Sequence, residues 1–269
     1  MSLKEQTILS QYGKSNTGFL HANGWDSTKF LMQELDCQAN ECVLEIGHGT
    51  GATLVELASR YRCTNFYGVE VNKLMHRKGI QRIKLCGLSK NIDCTLSLHN
   101  SKLSFSDNSF DKVYCESVLG ILEGNDLPNL LTEIRRVLKP DGILLFNETI
   151  WTSNVSSKII LEINSFCKSN YGIIQSTADY PYLADWEKLL RTKGFFVLDK
   201  HELHNIGSVV RIAQARQSIV SILFSIWGKI WHGAGLSKLN DIQNKLTVPN
   251  NVMRGIIIKS KATNLPEGE

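Results

Sequence analysis

The run Glu45-Ile46-Gly47-His48-Gly49-Thr50-Gly51 constrains this chain more than any other feature. It ends the β-branched and aliphatic stretch CVLEI (42–46). It opens a segment in which Leu54, Leu57, Ala58 and Tyr61 recur at i, i+3, i+4 and i+7. That is a strand turning into an amphipathic helix. Glycines at such a turn let the backbone approach a ligand closely, and the free N–H groups of the helix start favour negative charge. The next apolar run, NFYGVE (65–70), finishes in Glu70. A carboxylate at that point can accept two hydrogen bonds from a ribose diol, the means by which doubly wound folds hold adenosine.

Further strand-like runs follow at 92–98 (IDCTLSL), 111–115 (DKVYC), 142–146 (GILLF), 195–203 (FFVLDKHEL) and 252–260 (VMRGIIIKS). Leu127, Leu130, Leu131, Ile134 and Val137 mark a helix that Lys139-Pro140-Asp141-Gly142 should stop, since proline cannot continue it. Helices are also expected over 156–171 and 185–191. Alternation of this kind implies right-handed crossovers. The expected fold is α/β and Rossmann-like: a doubly wound, mostly parallel seven-stranded sheet with helices on both faces. One domain should span 1–269. Residues 1–40 would form a helical cap, 41–150 the cofactor-binding core and 151–269 the substrate side, with a helical insertion at about 205–250 before the last strand.

Composition closes off several other functions. The 30 Lys and Arg against 26 Asp and Glu leave a formal charge of +4, too little and too evenly spread to announce a nucleic-acid binder. The 7 cysteines are odd in number, lack a Cys-x-x-Cys and sit partly in apolar runs, so neither a disulfide framework nor a metal ribbon is expected. No metal site is read from the sequence, and a reducing cytoplasm is the expected compartment. The N-terminus shows no signal-peptide core. The uncharged stretch between Arg216 and Lys229 is shorter than the ~20 residues of a membrane span.

Gly47-x-Gly49-x-x-Ala52 also satisfies the looser dinucleotide fingerprint, so an NAD(P)-dependent oxidoreductase competes for this site. Four segments in order decide between the two. VLEIGHGTGATLVELASR (43–60) resembles the first motif of class I S-adenosylmethionine-dependent methyltransferases, with Glu45 as its acidic residue, and GVEVN (68–72) resembles the second. LSFSDNSFDKVYCESVLGIL (103–122) is similar to the family's stretch before and through the fourth strand, and LKPDGILLF (138–146) to the segment before the fifth. The resemblance, of the small-molecule type common in secondary metabolism, implies S-adenosylmethionine as cofactor and S-adenosylhomocysteine as product. It implies that Gly47, Gly49 and Gly51 line the methionine part while Glu45 orients the loop. Glu70 would hold the ribose and Val71 would press on the adenine. His99 and Asn100 would stand where the family has Asp and a small residue at the adenine amino group. Tyr114, Cys115 and Glu116 would lie beside the methionine amino group and the sulfonium.

A sulfonium carries its own activation, so the protein mainly has to align donor and acceptor, and a base is needed only if the acceptor enters protonated. The candidates are Glu116 and His21, the latter in GFLHANGWDSTKFL (18–31), a segment similar to the one that many small-molecule methyltransferases fold over the cofactor. Tyr12, Trp25, Ser27 and Thr28 could then face the chamber, whereas His48 is expected to point away from it. Cys115-Glu116-Ser117 is not the Asn/Asp-Pro-Pro-Tyr of amide and base methylation, so nucleic acid is not the favoured acceptor. A small, apolar metabolite methylated on oxygen, nitrogen or carbon is. A non-catalytic assembly or membrane adaptor is the other alternative. It is kept open by 208–232, a helix apolar nearly all round apart from a stripe of Gln214, Ser218, Ser221, Ser225 and His232. Such a helix needs a cover: the domain itself, an apolar substrate, a second subunit in a homodimer, or a peripheral membrane contact.

Overall fold

The computed structural model describes residues 8–21, 24–62, 64–99, 101–203, 216–232 and 252–263. In chain order these form α1 (Ile8–Lys14), α2 (Gly24–Leu35), β1 (Cys42–Ile46), α3 (Ala52–Arg60), β2 (Asn65–Glu70), α4 (Lys73–Leu85), β3 (Ile92–Leu96) and β4 (Phe110–Glu116). Then come α5 (Asp126–Val137), β5 (Leu138–Trp151), α6 (Ser157–Tyr171), α7 (Leu183–Thr192), β6 (Phe195–Glu202), α8 (Arg216–His232) and β7 (Met253–Ala262). The strands make one seven-stranded sheet in the order β3-β2-β1-β4-β5-β7-β6. β1 pairs in parallel with β2 and β4, and β5 runs parallel to β4. β7 is antiparallel to both β5 and β6 and is inserted between them. The fold is therefore the expected Rossmann-like one, mostly parallel, with its reversed strand at the far end from the glycine turn.

The sheet divides two cores. Leu127, Leu130, Leu131, Ile134 and Val137 of α5 are all buried against one face, as their spacing requires. Leu31 and Leu35 of α2 and Leu54, Leu57 and Ala58 of α3 pack on the other. α4 begins at Asn72, whose side chain accepts the N–H bonds of Leu74 and Met75 and so satisfies two of the helix's free donors. The Lys139-Pro140-Asp141-Gly142 stop ends α5 as expected, but it does not precede the strand as a separate turn. It lies inside β5 as a bulge: Phe110 pairs with Leu138 and Lys112 with Ile143, and Asp141 takes φ +64°. The extra residues are absorbed at the sheet's edge of entry, where a bulge bends a strand without breaking it.

Expected elements differ from the observed ones chiefly in their ends. β3 stops at Leu96, short of the expected 98, and β7 begins and ends later than expected. The helix expected over 208–232 is observed from Arg216, and 208–215 lies outside the described residues, as does all of 233–250. Among the described residues no helix is long and apolar enough to cross a membrane. Cys37, Cys42, Cys86, Cys94, Cys115 and Cys167 are free thiols.

Candidate donor and acceptor site

The glycine turn leaves the carboxyl end of β1 at the centre of the sheet, where its backbone is fixed from both sides. Gly47 and His48 donate N–H bonds to the Val69 carbonyl at 2.8 and 3.0 Å. Gly47, Gly49 and Gly51 have φ of +73°, +52° and +74°, a region costly for any residue with a Cβ. A Cβ on Gly47 would lie 2.4 Å from Val118 Cγ2, and one on Gly51 would lie 3.2 Å from the Gly79 Cα of α4. Gly51 thus serves the approach of α3 to α4 and is not in the cavity wall. His48, expected to point away from the chamber, has its ring against α4, although the residue also contributes to the cavity wall. Its ring is buried, its Nε2 is 3.1 Å from His76 Nδ1, and it fits only because Gly68 and Gly79 carry no side chains. Burial first, then the neighbouring His76, lowers its pKa to about 3, so it is neutral.

Over this turn lies a cavity of about 290 Å³, walled by Gly47, Gly49, Glu45, Glu70, Val71, Ser97, His99 and Glu116 together with the segment 17–21. That segment crosses close above the helix start: Thr50 Oγ1 donates to the Thr17 carbonyl at 2.7 Å, and a Cβ on Gly18 would meet that of Ala52 at 2.7 Å. Glu70 has a task the sequence did not suggest. Its Oε2 accepts from Gly49 N at 2.9 Å and its Oε1 from Asn72 N at 2.7 Å, so it braces the glycine turn and the start of α4. Burial raises its pKa, against those same N–H bonds. The Val71 N–H also bonds this carboxylate, and Glu70 lines the cavity.

Glu45 is held differently. It is buried in the cavity floor, with the Tyr114 hydroxyl beside its carboxyl. Burial, reinforced by the charge of Glu116 and opposed by the Tyr114 hydroxyl, holds its carboxyl well above the usual carboxylate range. A buried carboxyl in a cavity floor suits a ligand bearing an ammonium.

Of the three residues expected at the end of β4, only Glu116 reaches the cavity. Cys115 points to the opposite face of the sheet and is fully buried in the core with α5, while Tyr114, one pleat earlier, is covered by α2 and α3. Glu116 is held by three side chains. Thr53 donates to Oε1 at 2.8 Å, Thr28 donates to Oε2 at 2.9 Å, and His21 Nε2 lies 3.0 Å from the same oxygen. Burial would raise its pKa, but the His21 ring and the hydroxyls outweigh this and hold it below the ordinary value. His21 is engaged on its other side too, with Nδ1 3.1 Å from both Ser27 Oγ and Asn147 Nδ2. Both ring nitrogens being occupied, His21 positions Glu116. Ser27 and Thr28 are fully buried in this network, and Trp25 packs on Phe19 with ring centroids 4.9 Å apart. His99 is exposed at the cavity's mouth, and Asn100 lies outside the described residues.

A second cavity, of about 320 Å³, shares Leu9, Leu20, His21, Ser117, Ile121 and Ile173 with the first and continues past Tyr12, Cys167 and Tyr171. Its one buried carboxylate is Glu148, which the sequence did not single out. Oε1 accepts from Val118 N at 2.8 Å and Leu119 N at 2.7 Å, and burial pushes its pKa up to about 7 against those bonds. The signal in the sequence is faint: Glu148 sits mid-strand in an apolar run, where a charge needs buried partners. Arg82 was also unmarked. Its buried guanidinium donates to the carbonyls of Thr50, Asn16 and Ser221 at 2.7, 2.6 and 2.8 Å, joining the turn, the cap and α8. Among the described residues no cluster of three or more His, Cys, Asp or Glu side chains could hold a metal ion.

Comparison with known proteins agrees with this geometry. Residues 43–142 match the family described as "Methyltransferase domain". A Haemophilus influenzae protein named only as uncharacterized is 28% identical over 71% of this chain and 72% of its own. The demethylmenaquinone methyltransferase of Geobacillus stearothermophilus is 28% identical over 54% of this chain and 60% of that protein. Among solved structures, phosphoethanolamine N-methyltransferase 2 of Haemonchus contortus, in complex with phosphomonomethylethanolamine and S-adenosylhomocysteine, superposes with a TM-score of 0.68. It is 16% identical, covering 95% of this chain and 56% of that one. Residues 43–142 thus match a methyltransferase domain, and the fold around them is the Rossmann-like one of solved methyltransferases.

Proposed function

We propose that this protein transfers the methyl group of S-adenosylmethionine to a small, largely apolar metabolite held in the second cavity. The observation that carries the reading is the placing of two buried carboxyls, Glu45 and Glu70, in the wall of a cavity bounded by the glycine turn. The residues suit that donor: Glu45 and Glu116 would meet its ammonium, Glu70 its ribose hydroxyls, and Val71, Ser97 and His99 the adenine side. When bound, the donor supplies an electrophilic methyl carried on a sulfonium whose departure leaves a neutral thioether.

The chain's own residues then have three tasks. Leu20, Ile121 and Ile173, at the junction of the cavities, exclude water and press an apolar acceptor towards the donor side. Orientation of this kind is worth roughly 7–11 kcal/mol when the reacting atoms are well aligned. His21 keeps Glu116 ionised and in place. Glu148, near neutrality in the acceptor cavity, is the group able to accept a proton from an acceptor that enters as a hydroxyl or an ammonium. The neighbouring demethylmenaquinone and phosphoethanolamine enzymes support an acceptor that is a lipid-like or small organic molecule.

Calorimetric titration of the full chain with S-adenosylhomocysteine, NAD and NADP tests the assignment. Saturable binding of the homocysteine alone is the expected result. Binding of a nicotinamide cofactor, or of neither, would overturn it. With donor binding in hand, a screen of apolar phenols, quinols and amines for methyl incorporation would find the acceptor. Donor binding with no turnover across such a panel would favour an adaptor role.

A further inference from the structure

α8 leaves a broad apolar face uncovered. It packs on α3 and α4, turning inward Ser221, Ser225 and Gly228 together with Phe224 and Val220. Ser221 is buried, and both Ser221 Oγ and Ser225 Oγ receive Arg82 Nη1, at 2.8 and 3.0 Å. Asn16 Nδ2 donates to the Phe224 carbonyl at 3.1 Å, and Gly228 lies so close to the Ser15 backbone that a Cβ there would be 2.3 Å from its carbonyl oxygen. The outward face is Ile219, Ile222, Leu223, Ile226 and Trp227, a continuous stripe at helical spacing, with Leu223 57% and Trp227 51% exposed. A helix covering a soluble domain normally does the reverse.

Charge says what this stripe should meet. α4, beside α8, exposes Lys73, Arg77 and Lys84 along with Ile80 and Leu85. Lys229 of α8 is exposed as well, and neither α4 nor α8 contains an Asp or Glu. A symmetric contact with a second copy would set this basic surround against itself. An apolar stripe with an aromatic residue and a basic, acid-free surround is complementary to a bilayer surface bearing anionic headgroups. From this juxtaposition we propose that the outer face of α8 and the exposed basic side of α4 form a docking surface for anionic membranes, on which the protein lies without spanning.

The test is flotation of the purified full chain with vesicles of equal parts phosphatidylglycerol and phosphatidylcholine, against phosphatidylcholine alone, at low and high salt. The expected result is retention on the anionic vesicles that falls with salt. Leu223→Glu combined with Trp227→Glu should cut retention about tenfold or more while leaving the melting temperature and S-adenosylhomocysteine affinity unchanged, since both side chains point away from the fold. Lys84→Gln, on the other helix, should reduce it roughly fivefold. No retention at low salt, equal retention on neutral vesicles, or retention indifferent to these changes would overturn the proposal. So would a dimer in light scattering that Leu223→Glu dissociates, which would give the face to a second copy. Donor affinity is read separately, so loss of docking leaves the methyltransfer reading standing, and the reverse holds as well.

Discussion

The donor and acceptor cavities adjoin, yet they are built in opposite ways. The donor side is made of backbone: a turn at positive φ, the ends of β1 and β2, and a carboxylate, Glu70, that grips the turn's own N–H groups. The acceptor side is made of side chains from α1, the segment after β4, the middle of β5 and the end of α6. A backbone site tolerates few substitutions and fits one kind of ligand. A side-chain site can be rebuilt residue by residue without disturbing the sheet, so acceptor specificity can change while donor binding persists.

The largest expected effect falls on the residue that joins the two regions. Arg82→Met leaves the carbonyls of Thr50, Asn16 and Ser221 without their donor and should cost about 3 kcal/mol or more. Hydrogen exchange should then show α8 and the segment 17–21 opening together. Independent opening would mean that the two are not coupled. Gly47→Ala comes next, since a Cβ at φ +73° and 2.4 Å from Val118 should cost about 1–3 kcal/mol of stability. Donor affinity should fall with it, and a variant with unaltered affinity would show that the turn is not in contact with the donor.

Glu70 sharpens the contrast. Glu70→Ala removes the brace and the proposed ribose acceptor together and should weaken S-adenosylhomocysteine binding by about 1–3 kcal/mol. Glu70→Gln, which keeps one acceptor oxygen, should lose less. Equal losses would assign the residue to the turn alone. The smallest effect is a pH dependence on the acceptor side. The folded pKa of Glu148, about 7, lies above that of a free carboxyl. Its contribution to stability is therefore full below the ordinary Glu range and fades as pH rises towards 7. Glu148→Gln should flatten the fall in melting temperature between about pH 5 and about pH 8 and leave donor affinity unchanged. An unchanged slope would remove Glu148 as a group titrating near neutrality.

The same contrast explains what the sequence disclosed. Glycine spacing, apolar periodicity and the acid at the end of β2 are contiguous signals, so β1, α3 and β2 were legible residue by residue. Tyr114 and Cys115 were misplaced because a motif names a strand's end without saying which side chain the pleat turns towards the cavity. Glu148 and Arg82 went unmarked for a different reason. Each acts through backbone groups far along the chain, Glu148 through residues 118 and 119 and Arg82 through 16, 50 and 221, and no local pattern announces such a bond. The polar stripe of α8 was visible in the sequence, but that it faces inward depends on Arg82, which was not.

The central claim is that the glycine turn, Glu45 and Glu70 hold the methyl donor. Displacement calorimetry of S-adenosylhomocysteine tests it most directly when run side by side on the wild type, Glu45→Gln and Glu70→Ala. Saturable binding to the wild type, weakened in both variants at unchanged fold, is the predicted result. Wild-type binding that neither substitution alters would contradict it.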